Sequence, residues 1–333
     1  FIGSYSGYQL TGGSSNTAVG KSSLLAITSG EYNVAIGKDA GDSLTTGEKN
    51  VFVGADSGQN MVTNSQSTFV GYYAGYNAQS SNSTAVGYQS LYKSTGNDNS
   101  AFGADSMVEN TSGVYNTGLG RLALRNNQTG NYNVAVGANA LLGTVSNSHS
   151  NNTAVGYNSL TAITTGINNV AVGYEAGKSV TSVPNGVYIG KDAGRDSTGA
   201  TNCVMIGLQA GLNATGTRTI AIGNQAMGVG TGGVYGIAIG YQSLYNNTGL
   251  YNLAIGYGAG YSTTGGDENV FIGKSAGANG NLVSNVYIGA LAGVGVSGNS
   301  NSANVGVGHS ALNGVTTGNN NVAVGHESLK SVT

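Results

Sequence analysis

Apolar residues fall along this chain in short clusters, each opened by a polar residue and closed by a glycine. Asn33-Val34-Ala35-Ile36-Gly37, Asn133-Val134-Ala135-Val136-Gly137 and Asn321-Val322-Ala323-Val324-Gly325 are three of them. The closing glycine returns mostly at intervals of 16 or 17, from Gly3, Gly20, Gly37 and Gly54 past Gly137, Gly173 and Gly256 to Gly325. Two intervals, Gly137 to Gly156 and Gly289 to Gly308, are 19 residues long. With this anchor as position 0, position −1 is always apolar and position +3 is always alanine or serine. Position −4 is usually asparagine, as at Asn33, Asn50, Asn133, Asn169, Asn252 and Asn321. A loop often containing Thr-Thr-Gly follows, as at Thr45-Thr46-Gly47.

A steady interval with occasional insertions marks stacked repeats that absorb extra residues in an outward loop. Each unit is too short for a strand and a helix. Its β-branched and small apolar residues, bounded by asparagine and glycine, read as a strand with turn signals at both ends. A second short strand is expected around positions +3 and +4. A helical repeat fails, because glycine and β-branched residues would fill helix interiors. The sequence therefore predicts an all-β chain, a parallel β-solenoid or β-roll of about twenty coils of about 17 residues. Equivalent strands would pair about 4.8 Å apart. The asparagines at −4 would stack in a hydrogen-bonded ladder.

Positions −2 and +4 compensate in volume. Phe1, Phe52, Phe69, Tyr188, Met205, Phe271 and Tyr287 at −2 are matched by Gly7, Gly58, Gly75, Gly194, Gly211, Gly277 and Gly293 at +4. Ala18, Ala85 and Ala101 are matched instead by Leu24, Leu91 and Met107. Three coils are small at both positions (Ala35/Gly41, Ala171/Gly177, Ala254/Gly260) and none is large at both. Two large side chains in one pocket would overpack it by roughly 1–3 kcal/mol, so the two positions are expected to share a buried space. Position −1 lies on the other side of the strand, so both faces of the strand require cover. One thin coil has one interior. The second face is expected to pack on further copies of the chain, as a homotrimeric rod with a shared axial core. The alternative is a wide monomeric solenoid whose loop folds back over it.

Composition narrows the function. The 333 residues include 58 glycines, one proline, no tryptophan and 8% charged residues. That excludes collagen, and the steady supply of Val, Ile and Ala argues against disorder. A net charge of −2, with Lys and Arg scattered singly, gives no footprint for nucleic acid. No apolar run approaches the ~20 residues a membrane helix needs, so no membrane insertion is expected. The same vocabulary runs throughout, so 1–333 reads as one repetitive domain. It opens inside a repeat at Phe1-Ile2-Gly3, as a fragment of a longer fibre or adhesin would. Cys203 stands where most coils carry Asn or Ser, and reads as a small residue in a packed column.

Candidate chemistry is sparse. Gly228-Val229-Gly230-Thr231-Gly232-Gly233 and Gly293-Val294-Gly295-Val296-Ser297-Gly298 fit GxGxxG, but neither joins a strand to a long helix, so both read as solenoid loops. His309 and His326 directly follow anchors in adjacent coils and could stack on one outer face; with no Cys or carboxylate column joining them, they read as surface residues rather than a metal clip. Asp39, Asp56, Asp105, Glu175, Asp192 and Glu327, all at +2, read as a solvated edge. A glycosidase would need two carboxylates converging at about 5–9 Å in a cleft. No catalytic, cofactor-binding or metal residue is assigned, and the chain is expected not to be an enzyme. Tyr72, Tyr88, Tyr157, Tyr174, Tyr241 and Tyr257 occupy +1, as either a ladder between coils or a contact surface for sugars or proteins. Thr17, Thr68, Thr84, Thr117 and Thr153 share position −3, as an ice-binding face would require, but Val, Ile and Leu interrupt them.

The Asn33–Gly37, Asn133–Gly137 and Asn321–Gly325 segments resemble head repeats of trimeric autotransporter adhesins. The longer unit with its Thr-Thr-Gly loop, and Asn152-Thr153-Ala154-Val155-Gly156-Tyr157-Asn158-Ser159-Leu160, more closely resemble repeats of phage tail-fibre proteins. The resemblance covers essentially the whole chain. It implies a left-handed parallel β-roll, three chains to an assembly, and an extracellular place on a virion tail fibre or a bacterial surface. It also implies a spacing and attachment role, with a host glycan or protein as partner. No stalk, neck, membrane barrel or chaperone-like protease pattern occurs within these residues.

Overall fold

A computed structural model of the chain describes residues 1–144, 147–230, 234–295 and 300–331. Among the described residues all regular structure is strand. The chain divides into two compact units, Phe1–Asn168 and Asn169–Thr333. In the first, nine three-residue strands run from β1 (Thr17–Val19) to β9 (Thr153–Val155), each pairing in parallel with the next. The register advances one repeat per rung, so Ala18, Ala35, Phe52 and Phe69 are successive partners. In the second, ten strands from β10 (Val170–Val172) to β21 (Val322–Val324) form a parallel ladder of the same kind. Two further strands, β17 (Asn281–Val283) and β19 (Ser300–Ser302), pair beside it as a separate parallel sheet. Each unit is a parallel β-solenoid, as the repeat predicts.

The anchor glycine is fixed by backbone contact. Gly54 has φ +129°, and a Cβ added there would lie 2.6 Å from the carbonyl oxygen of Gly71, the anchor of the next coil. Gly256 stands in the same relation to Gly273, again at 2.6 Å. Gly37, Gly137 and Gly173 likewise abut the next anchor, whereas Gly325 faces open space. The Thr-Thr-Gly glycine forms a second such column at −7. A Cβ at Gly113 would come within 2.5 Å of the Gly130 carbonyl oxygen.

The asparagine ladder is present and buried. Asn50 donates its backbone N–H (2.9 Å) and its side-chain amide (3.0 Å) to Asn33 Oδ1. The Asn33 amide in turn reaches the Gly47 carbonyl (2.8 Å). Asn133 repeats this on Asn116, Asn269 on Asn252 and Asn321 on Asn304. Asn169 Oδ1 accepts from the Gly186 N–H (2.8 Å). Each amide therefore satisfies its own coil and the next, which is what a buried polar column needs.

No strand forms at +3 and +4. The segment from +1 to +4 is a run of turns, because the backbone bends into the left-handed region at +2 and +4, with a third such bend at −5. Around Gly37 these bends fall at Tyr32 (φ 57°), Asp39 (53°) and Gly41 (58°). Leucine adopts the same bend at Leu24 (48°) and Leu91 (53°). Left-handed residues cannot continue a strand. The segment stacks through single bonds between coils instead, such as Leu24 N–H to the Ala40 carbonyl (3.0 Å).

Positions −2 and +4 meet in the core. A Cβ added at Gly58 would lie 2.5 Å from Phe52 Cδ1, and Gly277 and Gly293 crowd Phe271 and Tyr287 in the same way. The large ring also serves the preceding coil. A Cβ at Gly41 would meet Phe52 Cδ2 at 2.6 Å and Leu24 Cδ2 at 3.1 Å, and one at Gly260 would meet Leu244 at 2.7 Å and Phe271 at 2.9 Å. Those two coils, small at both positions, are thus filled by their neighbours.

Candidate functional site

Strand alternation divides each rung between an inner and an outer face. Position −2 is inside, with Ala35, Phe52, Phe69, Tyr188 and Phe271 fully buried. Positions −1 and −3 are outside, and the loop does not fold back over them. Ile36 is 42% exposed, Leu119 49% and Ile189 37%, while Val53 and Val70 are half-buried. Each unit therefore carries an apolar stripe along its strand ladder that its own chain leaves uncovered. The threonines at −3 lie on this same face, interspersed with valine, isoleucine and leucine: Thr17 is exposed, and Thr68, Thr84, Thr117 and Thr153 are half-buried.

The tyrosines at +1 are exposed and also stack. Tyr72, Tyr88, Tyr157, Tyr174, Tyr241 and Tyr257 are between 39% and 55% accessible. Tyr72 and Tyr88 stack with ring centroids 6.0 Å apart, Tyr241 and Tyr257 at 4.9 Å, and Lys191 Nζ lies 5.8 Å from the Tyr174 ring. Sequence reasoning missed further ladders at +5 (Tyr76–Tyr92, Tyr245–Tyr261) and at −5 (Tyr115–Tyr132, Tyr235–Tyr251). The signal was there, since each of these pairs is spaced by 16 or 17 residues. His309 and His326 stack at 5.2 Å, and no group of three potential metal ligands occurs among the described residues.

The acidic column at +2 is less uniform than expected. Asp39, Glu175 and Glu327 pair with Lys38 (2.6 Å), Lys178 (2.9 Å) and Lys330 (3.0 Å). Asp192 departs from a solvated edge: it is buried, with Arg195 Nη1 3.8 Å away. Cys203 is buried, and its thiol donates to the Tyr188 hydroxyl (3.5 Å). Burial pushes both groups' pKa values up. The Tyr188 ring reaches this far because Gly186 at −4 leaves room; a Cβ there would sit 2.5 Å from the hydroxyl.

Several coils lack the −7 glycine, and Ser80, His149 and Asn301 put a buried polar side chain there instead. The His149 imidazole is fully buried with Nδ1 3.4 Å from Asn133 Oδ1 and no partner at Nε2, and burial lowers its pKa to about 4. Asn301 accepts from the Tyr287 hydroxyl (2.9 Å). Outside it, on the β17–β19 sheet, a depression of about 280 Å³ is lined by Asn281, Val283, Ser300, Asn301, Ser302 and Asn319, with no titratable group. Residues 231–233 and 296–298 of the two GxGxxG stretches lie outside the described residues. Among the described residues no helix is long and apolar enough to cross a membrane. A search of protein families finds none that matches the chain, and a search of curated proteins finds no match either.

Proposed function

We propose that this chain is a structural and adhesive fibre segment, of the phage tail-fibre kind, that assembles as a homotrimer and spaces and attaches its particle to a host surface. One observation carries the reading. The outer face of the strand ladder keeps an apolar residue at −1 in coil after coil, yet the chain leaves it open to water. Isolated surface apolar residues need no explanation, but a continuous stripe marks an interaction surface. A second copy of the same stripe is the simplest cover, because the period of its side chains matches by construction. Aromatic ladders on other columns remain available for contact after assembly. The same stripe serves the head of a trimeric surface adhesin, the second reading. An ice-binding face is disfavoured, because the threonines share their face with the apolar stripe.

Sedimentation equilibrium tests the assembly: the expected mass is three times the 33.1 kDa of the chain. Ile36→Glu combined with Ile189→Glu should yield a folded monomer, since both side chains point outward. Ala135→Glu should instead abolish folding, because Ala135 is fully buried. A wild-type chain that sediments as a monomer overturns the proposal.

A further inference from the structure

The +1 column of the first unit contains a symmetrical run of five rungs: Tyr88, Ala104, Arg121, Ala138, Tyr157. Backbone bonds hold them in register. Asp105 N–H donates to the Tyr88 carbonyl (2.9 Å), Leu122 N–H to Ala104 (3.0 Å), Asn139 N–H to Arg121 (3.0 Å) and Asn158 N–H to Ala138 (3.1 Å). Rings in this column lie across the stack, as the Tyr72–Tyr88 pair shows with an interplanar angle of 20°. Tyr88 thus has one face on Tyr72 and turns the other towards the rung of Ala104. Rungs are about 4.8 Å apart, so about 9.6 Å separates Tyr88 from Arg121, with only a methyl group between them. That gap is the thickness of one flat ring stacked on Tyr88, with room for a guanidinium above it. Ala138 and Tyr157 repeat the same residue order in register on the other side of Arg121.

Arg121 is exposed and belongs to no ion pair among the described residues, whereas Lys38, Lys93, Lys178 and Arg195 all have carboxylate partners. An aromatic face beside an unpaired guanidinium matches a ligand with an apolar C–H face at one end and a carboxylate at the other. We infer that the two alanine rungs flanking Arg121 are binding slots for an acidic pyranose, its ring stacked on tyrosine and its carboxylate on Arg121. The neighbouring +2 column is polar on both sides of Leu122, with Gln89 and Asp105 on the rungs of the first slot and Asn139, which donates its amide to Asn158 Oδ1 (2.9 Å), on those of the second. The Asp105 carboxylate accepts hydroxyls and disfavours more highly charged ligands such as phosphate. The inference deepens the adhesive reading and rests on it.

The test is saturation-transfer NMR and calorimetric titration of the full chain with sodium glucuronate and with N-acetylneuraminate. Methyl β-D-glucopyranoside is the neutral probe and choline the cationic one. Both acids should bind, and the neutral glycoside should bind more weakly by roughly tenfold or more, the worth of one charge-assisted hydrogen bond. Arg121→Gln should remove that difference. Ala104→Tyr with Ala138→Tyr fills both slots with the ring the column carries elsewhere; it should abolish binding while the circular dichroism and melting temperature are retained. Undiminished binding in the double tyrosine variant overturns the inference. So does binding of neither acid, equal binding of acid and neutral glycoside, or preference for choline. Sedimentation of the same samples separates the two proposals: a trimer that ignores both acids overturns the slots alone, and a monomer overturns the fibre reading.

Discussion

Exchanging volume between two columns tests the packing of the core directly. Gly58→Leu alone places a side chain where a Cβ would already lie 2.5 Å from the Phe52 ring. Overpacking costs about 1–3 kcal/mol. The left-handed backbone at this position (φ +59°) adds about 1–2 kcal/mol for a residue that is not glycine. Phe52→Ala alone empties a fully buried site, at about 3–5 kcal/mol. Independent effects would add to about 5–10 kcal/mol, enough to unfold the coils around β3 (Val51–Val53). Together, however, the two changes recreate the pairing that Ala18/Leu24 and Ala85/Leu91 already use, with leucine at φ near 50°. The double variant should then lose only about 2–3 kcal/mol: the backbone strain, plus the cover that the Phe52 ring gives Gly41 in the preceding coil. The coupling between the sites would exceed about 3 kcal/mol, at the top of the range for residues in contact. Stacked repeats can unfold in parts, so the readout is hydrogen exchange at β3 and its neighbours alongside urea denaturation. Additive costs would refute the shared pocket.

Two more outcomes follow from single positions. Gly54→Ala and Gly325→Ala both place alanine at a positive φ, but only Gly54 faces the carbonyl of the next anchor, so urea midpoints should fall clearly for the first and little for the second; equal losses would show that backbone strain alone selects the glycine. For His149 the folded pKa of about 4 lies below the ordinary 6.5, so burial stabilises the neutral imidazole. Its contribution is complete above pH 6.5 and is lost as the pH falls from 6.5 towards 4, by about 3 kcal/mol in all. Exchange rates in the Gly137–Gly156 coil should rise across that window in the wild type and not in His149→Gln; matching profiles would refute it.

In a solenoid each residue touches its equivalents one period away, so the period in the sequence is itself the contact map. That is why the strands, their register, the Asn33–Asn50 ladder and the Phe52/Gly58 exchange could all be read from residue order. The +5 and −5 tyrosine ladders are equally legible by spacing, although they lie away from the anchor and its neighbours. What the sequence could not reveal depends on backbone conformation and on which face turns outward. Leu24 and Leu91 sit at a positive φ that leucine ordinarily avoids, held there by burial of their side chains, so the strand expected at +3 and +4 is a series of turns. Gly41 looked like an underfilled coil until the Phe52 ring of the next rung was seen to fill it. Apolar residues at −1 called for cover, but only the tertiary structure decided that the chain does not supply it. A coil of about 17 residues closes around one interior and has nothing left to wrap the outside of its own strand.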